Sequence, residues 1–210
     1  FDPILEILRN TEECFIEESA KEIILWSREL LSREDLIRPE LSTEEINSKL
    51  NDAGWNSKER KLSEFQMRNL TQTSRRDNAA IFSVPGAGKT VESLAFSTIV
   101  GGSNVRLIIV CPRNAYISWE GELQASLGIS KNKIFRATGS DNELRGRLMI
   151  SDTDIQVILV NYNRLHYRYR FFSDYIRFLR NKGEVVITIF DESHHFKGGK
   201  AFTSAVKRIS

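Results

Sequence analysis

Residues 83–90 read Ser83-Val84-Pro85-Gly86-Ala87-Gly88-Lys89-Thr90, between an apolar run at 80–84 and a helical pattern at 90–100. Small residues let backbone N–H groups point at phosphate oxygens, and a helix N-terminus adds partial positive charge. A lysine at the end of such a loop reaches the β- and γ-phosphates, and the following hydroxyl is a ligand for Mg²⁺. The segment therefore predicts a phosphate-binding loop that joins a strand to a helix.

Further apolar runs lie at 105–111, 155–160 and 185–190, with a short one at 133–135. Helical patterns at 114–127, 142–149 and 171–180 separate them. Apolar runs without alternation are typical of strands whose two faces are both buried. Strands that alternate with helices predict an α/β fold, a doubly wound parallel sheet that binds ligands at the carboxyl ends of its strands. We therefore expect the site in the loops that follow Val84, Val110, Val160 and Phe190.

The first part of the chain has a different character. Residues 1–58 show helical spacing of apolar residues, and Ser42 with Glu45 predicts a capping box before a helix that ends near Gly54. Residues 1–50 hold 6 Lys and Arg against 13 Asp and Glu, whereas residues 51–210 hold 24 against 15. We predict a small helical accessory segment at 1–58 and an α/β lobe at 59–210.

Composition excludes several classes of protein. With 28% charged and 40% hydrophobic residues in 210, the chain is neither disordered nor collagen-like. Its two cysteines cannot build a disulfide framework, which favours a reducing cytoplasm. Its apolar runs are far shorter than the ~20 residues that span a bilayer. We find no Cys/His cluster with the spacing of a zinc site. Because the first residue is Phe1, we expect the chain to be part of a longer protein.

Two acidic residues, Asp191 and Glu192, directly follow the run at 185–190. An Asp at a strand end can hold Mg²⁺, and a neighbouring Glu can polarise the water that attacks a γ-phosphate. A strand that ends in Asp-Glu, combined with a phosphate loop, predicts an ATP-hydrolysing site.

Asp191-Glu192-Ser193-His194 resembles the DExH box of superfamily-2 helicases and translocases. His195-Phe196-Lys197-Gly198 resembles the extended box of the SWI/SNF-like translocases, except that Gly198 stands where that group usually has Asn. Ser83, where the strict loop pattern has Gly, is common in helicase-type ATPases. AAA+ ATPases place their two boxes closer together than Lys89 and Asp191, which are 102 positions apart. The Asn-Lys-x-Asp signature of GTPases is missing.

The same resemblance extends to shorter motifs. Phe65 and Gln66 resemble the motif whose glutamine reads adenine. Arg113 and Asn114 resemble a loop that contacts nucleic-acid phosphates, as do Asn161, Tyr162 and Arg164. Trp119 is expected in the core, and Glu122 is expected to be structural. The basic and aromatic segment 164–172 is either a nucleic-acid surface or an amphipathic segment whose rings pack on the sheet.

The resemblance implies the first RecA-like lobe of an ATP-dependent DNA translocase or helicase, incomplete at its C-terminal end. Lys89, Asp191, Glu192 and His194 would act in hydrolysis, Thr90 and Asp191 would hold Mg²⁺, and ATP would lie against Phe65, Gln66, Pro85, Gly86, Ala87, Gly88, Lys89 and Thr90. The expected partners are nucleic acid, double-stranded DNA bound without sequence preference, and a second RecA-like lobe, without which this part alone would be inactive.

Two alternatives remain open at this stage. One is a DExH helicase or the motor subunit of a restriction or defence system. The other is a nucleotide-binding regulatory module that does not hydrolyse ATP. The resemblance implies a protein of the bacterial cytoplasm or the nucleus, intracellular in either case and not in a membrane.

Overall fold

The structure is a computed structural model that describes residues 38–81, 86–150 and 154–192. The helical pattern before residue 38 and the residues after Glu192 lie outside the described residues. The strand predicted at 80–84 falls largely in a gap, and its first two residues, Ala80 and Ile81, have no regular secondary structure. All other predicted strands and helices can be compared with the structure.

Seven α-helices and four strands form the described part of the chain. The helices are α1 (Thr43–Asp52), α2 (Glu64–Thr73), α3 (Lys89–Gly101), α4 (Tyr116–Leu127), α5 (Asp141–Arg145), α6 (Tyr162–Tyr167) and α7 (Tyr169–Asn181). The strands are β1 (Arg106–Val110), β2 (Ile134–Arg136), β3 (Val157–Val160) and β4 (Val186–Phe190). Short 3₁₀ turns at Arg113–Ala115 and Lys131–Lys133 precede α4 and β2, and a π-helical turn at Gly146–Ile150 follows α5.

The four strands form one parallel sheet in the order β2-β3-β1-β4. The central strand β1 pairs with β3 on one side and β4 on the other, so that Val110 lies level with both Val160 and Phe190. Crossover connections with helices join the parallel strands, as the alternation of strands and helices requires. The prediction of an α/β fold with a parallel sheet is confirmed.

Side chains alternate between two helical layers along each strand. In β1, Leu107 and Ile109 join a core cluster with α1, α2, α3 and α4, whereas Ile108 and Val110 join a second cluster with α6 and α7. The side chains of all four residues are buried. A strand with two buried faces has no polar alternation, which is why the runs in the sequence are continuous.

Helix α3 lies against β4 and contacts α1, α2 and α4. Its last residue, Gly101, is next to β4's start: a methyl group added there would lie 3.0 Å from Ile187 Cδ1 and 2.5 Å from Val105 Cγ2. This is the antiparallel packing of helix on strand that occurs in βαβ units, and it directs the first turn of α3 toward the carboxyl edge of the sheet.

Helices α1 and α2 both begin with capping boxes. Ser42 and Glu45 form the one predicted for α1, and Ser63 and Gln66 form the other. The buried apolar residues of both helices, Ile46, Leu50 and Leu70, belong to the same cluster as residues of α3 and α4. A compact unit begins at Glu40 and includes α1, which belongs to the accessory segment predicted at 1–58.

Most predicted bounds differ from the observed ones by one to four residues, and three helices differ further. Helix α4 starts after a 3₁₀ turn, because Pro112 precedes it, and helices α2 and α6 have no counterpart among the predicted helices. Both are short, at 10 and 6 residues, and give little periodicity to detect. In the described part of the chain, no helix has the length and apolarity needed to cross a membrane.

Candidate functional site

The carboxyl ends of three strands meet at one edge of the sheet. Cys111, Asn161 and Asp191 directly follow β1, β3 and β4. The ladder continues into these residues, because the Asp191 amide donates to the Val110 carbonyl at 2.9 Å and the Cys111 amide donates to the Val160 carbonyl at 3.0 Å. The backbone of Asp191 is therefore fixed by the sheet.

The side chain of Asp191 accepts a hydrogen bond from a residue 72 positions away in the sequence. Trp119, in α4, donates its indole Nε1–H to Asp191 Oδ2 at 3.0 Å. Ile187 and Ile189 face the layer that contains α4, and side chains two residues apart lie on the same side of a strand. Asp191 continues this series, so its carboxylate meets the Trp119 indole, which is only 2% exposed.

Glu192 marks the point where the backbone leaves the sheet. Its φ of +56° lies in the left-handed region, which costs a non-glycine residue roughly 1–2 kcal/mol. Strained backbone of this kind is concentrated at functional sites, where the surroundings enforce it. Asp191 still follows the sheet, whereas Glu192 has left the strand geometry that alternates side chains between the two faces.

Asp191 and Glu192, together called the acidic edge, change the pKa values of two neighbouring side chains. Burial, together with the negative charge of Asp191, raises the pKa of the Cys111 thiol to about 12. Burial and the charges of Asp191, Cys111 and Glu192 raise the pKa of the Tyr162 hydroxyl above its ordinary value. Both side chains are therefore held neutral beside the acids.

The phosphate loop enters α3 through two glycines in the left-handed region. Gly86 has φ of +83° and Gly88 has φ of +76°, and only glycine adopts such angles without strain. Gly88 is the N-cap of α3 and makes no side-chain capping hydrogen bond. Because glycine has no side chain, Gly88 cannot cap the N-terminus of α3, which begins at Lys89. Helix N-termini without a side-chain cap are the kind that binds phosphate. Pro85 lies outside the described residues.

Gln66 is attached to this loop. Its amide nitrogen donates to the carbonyls of Ala87 at 3.1 Å and Gly88 at 3.3 Å, and its amide oxygen accepts from the Ser63 N–H at 3.0 Å. The residue is 7% exposed, and a methyl group added at Gly88 would lie 2.7 Å from its nitrogen. Both ends of the Gln66 amide thus form hydrogen bonds within the protein, a role that the sequence motif does not indicate.

The other predicted nucleotide contact, Phe65, is 43% exposed, and the Arg68 guanidinium lies 5.5 Å from its ring centroid. One turn further along α2, Asn69 donates to Glu92 Oε1 in α3 at 3.0 Å, and Glu92 is 1% exposed. These contacts bind α2 to the helix that begins at the phosphate loop.

The five predicted nucleic-acid contacts are divided between surface and interior. Arg113 and Asn114 are exposed on the turn after β1. Asn161 is buried as the N-cap of α6, where its side chain accepts from the Arg164 N–H at 2.9 Å. Tyr162 is half-buried beside the acids, and the Arg164 guanidinium donates to the Gly139 carbonyl, which ties α6 to the loop after β2.

Side chains of the basic and aromatic segment 164–172 differ in burial. Phe171 and Phe172 are buried in the core, whereas Tyr167 is 76% exposed and Arg168 and Arg170 are exposed. His194 and the residues of the extended box lie outside the described residues.

Helix α4 is fixed by contacts that the sequence did not predict. Glu122, expected to be structural, accepts from Arg60 Nε at 2.5 Å and from Ser126 Oγ at 2.7 Å. The Ser126 carbonyl accepts from the Asn56 N–H at 2.8 Å. In the sequence, the only indication that this face of α4 makes such contacts is the spacing of Trp119 and Glu122, which lie one helical turn apart.

Comparison with known protein families identifies a match over residues 40–210, to the family described as type III restriction enzyme, res subunit. The match covers most of the chain and all of the described elements. A comparison with curated proteins finds no match.

We predict that Cys111 is unreactive in the folded protein. Because its pKa is raised from 9.0 to about 12, its thiolate fraction at pH 8 is about 10³-fold smaller than that of an unfolded thiol. Iodoacetamide labelling followed by peptide mass spectrometry, with and without urea, measures the difference. Equal labelling rates in both conditions would show that the thiol is neither buried nor beside a negative charge.

Proposed function

The chain belongs to the family of type III restriction enzyme res subunits, with a superfamily-2 helicase-type N-terminal lobe, and we propose that it binds and hydrolyses ATP to drive translocation along double-stranded DNA. The observation that carries the proposal is the position of Asp191, which directly follows β4 at the carboxyl edge of the sheet and faces the same layer as α3 and α4. Because α3 begins at Lys89, the helix that follows the phosphate loop and the Asp191 side chain share one layer.

In this proposal the phosphate loop holds the nucleotide. The left-handed Gly86 and Gly88 direct backbone N–H groups at the phosphates, and the first turn of α3 adds partial positive charge. Lys89 binds the β- and γ-phosphates as a point charge. Gln66 keeps the loop in this shape through the carbonyls of Ala87 and Gly88, and Phe65 lies beside it in the sequence as the aromatic neighbour proposed for adenine.

The residues present fit a bound Mg²⁺. Thr90 and Asp191 offer oxygen donors, which this ion prefers. Among the described residues, no group of three or more His, Cys, Asp or Glu could hold a metal by itself. Mg²⁺ usually keeps water and substrate phosphates among its ligands. When bound, Mg²⁺ neutralises charge that develops on the phosphate oxygens.

Glu192 is proposed as the residue that orients and deprotonates the attacking water, and His194 as the residue that couples nucleotide to nucleic acid. Asp191 continues the line of β4, whereas Glu192 has a left-handed backbone, and the proposal assigns the two acids to different partners. One acid then holds the metal while the other acts as general base. Lobe closure with a second RecA-like lobe would complete the site.

The nucleic-acid surface is proposed around the exposed turn Arg113–Ala115. Arg113 and Asn114 offer charge and hydrogen bonds to phosphates, and Asn161, Tyr162 and Arg164 support the adjacent loops from inside. The excess of basic residues after residue 50, 24 Lys and Arg against 15 Asp and Glu, favours a polyanion. Binding of this kind depends on phosphates and not on base sequence.

The family match favours a motor of the restriction or defence type, which was the alternative to the SWI/SNF-like subgroup. The non-hydrolysing alternative predicts that a change at Glu192 has no effect on hydrolysis, because there is none to lower. A single substitution at Glu192 therefore distinguishes the two.

We predict that Glu192→Gln in the full-length protein lowers kcat by roughly 10²–10⁴, the usual contribution of a general base, while ATP still binds. Steady-state ATP hydrolysis with double-stranded DNA measures kcat, and equilibrium titration measures binding. Glu44→Gln, on the exposed surface of α1, is the matched control and should leave kcat unchanged. Similar kcat values for the Glu192 and Glu44 variants would remove Glu192 from the proposed role.

We predict that Arg113→Ala weakens DNA binding equally on unrelated sequences and reduces the slope of log K against log salt by about 1, because one phosphate contact is lost. Fluorescence anisotropy from 50 to 200 mM salt, roughly the range over which such contacts are screened, measures this slope. Arg177→Ala is the control, since the Arg177 side chain is 71% exposed on α7 and pairs with Asp174. An unchanged slope for Arg113→Ala would place the DNA elsewhere.

A further inference from the structure

We propose that Trp119 is a positioning residue for the site: its indole N–H holds Asp191 Oδ2 and thereby sets the orientation in which the carboxylate meets the metal. This inference rests on the proposed function, because it assigns Asp191 to Mg²⁺. It assigns to Trp119 a role in metal binding that core packing alone would not give it. The hydrogen bond of 3.0 Å is the observation that carries it.

The chemistry of the pair favours a directional role. An indole is a donor only, with a single N–H, and a carboxylate is an acceptor when ionised. The donor end of the bond is buried, because Trp119 is 2% exposed and packs in the cluster that includes Leu107, Ile109 and Cys111, and Asp191 is half-buried. Hydrogen bonds to ionised groups are shorter and stronger than neutral ones, and low local dielectric increases this difference.

The two backbones that carry the pair are fixed independently. The sheet holds Asp191 through its amide and the Val110 carbonyl. Helix α4 holds Trp119, and Glu122, one turn along, joins α4 to Arg60. Because neither backbone can shift easily, the hydrogen bond determines the rotation of the Asp191 carboxylate about its own side chain. Outer-shell hydrogen bonds of this kind orient metal ligands, and their loss typically lowers metal affinity by about 10–100-fold.

The chain offers a matched control for a change at Trp119. Trp55 is also buried, at 6% exposed, and its indole Nε1 donates at 2.9 Å to the carbonyl of Arg60, a backbone group that is not part of the acidic edge. Trp55→Phe and Trp119→Phe each remove one buried indole hydrogen bond and the same number of atoms. Both should therefore lower the urea midpoint of unfolding to a similar extent, whereas only Trp119→Phe should affect the metal.

The test uses the full-length protein and a fluorescent ATP analogue, with equilibrium binding measured as a function of Mg²⁺ concentration. We expect Trp119→Phe to raise the Mg²⁺ concentration at half-saturation by about 10-fold or more, and Trp55→Phe to leave it within about 2-fold of the parent value. Equal half-saturation in the two variants overturns the inference and leaves Trp119 as a core residue.

A second variant covers the case in which Trp119→Phe does not fold. Benzothienylalanine incorporated at position 119 keeps the bicyclic shape and replaces the N–H with sulfur, so packing is retained and the donor is lost. The same rise in Mg²⁺ half-saturation supports the inference, and the parent value overturns it. If analogue binding to the parent protein itself does not depend on Mg²⁺, the proposed function fails, and this result is distinct from equal half-saturation in the variants.

Discussion

Parallel pairing of β1 with both β3 and β4 is the constraint on which the rest of the structure depends. The register sets Val110, Val160 and Phe190 level with one another, so the next residue of each strand, Cys111, Asn161 and Asp191, lies at one edge. It also assigns alternate side chains to two helical layers. A shift of one residue in β4 would turn Asp191 to the opposite face of the sheet and away from Trp119.

Much of this organisation could be predicted from the sequence. Strands β1 and β3 are buried on both faces and β4 is half-buried, and all three left apolar runs in the sequence. Their alternation with helices predicts the parallel sheet and the edge at which Asp191 lies. The capping box at Ser42 and Glu45 was predicted from local spacing and is present. These features depend on neighbouring residues or on a period, which a sequence displays. The roles predicted for the site residues stay predictions.

The contacts that were not predicted join residues far apart in the chain. Trp119 was expected in the core. Its hydrogen bond to Asp191 also depends on which face of the sheet Asp191 lies on and on the rotation of α4 about its axis, and residue spacing predicts neither. Gln66 illustrates the same point. The motif indicates an amide near the nucleotide, whereas the fold decides that this amide holds the carbonyls of Ala87 and Gly88. Long-range hydrogen bonds thus set the geometry of the Asp191-Glu192 pair and of the phosphate loop.

ATP affinity of the full-length protein, measured by calorimetry with and without Mg²⁺, tests whether the α3 turn and the acidic edge form one nucleotide site. We predict saturable binding that Mg²⁺ strengthens and that Lys89→Ala weakens by about 10-fold or more, since a charged hydrogen bond is lost. Lys131→Ala, on the exposed turn before β2, should bind as the parent does. Binding that neither Mg²⁺ nor Lys89 affects would contradict an ATP site at this edge.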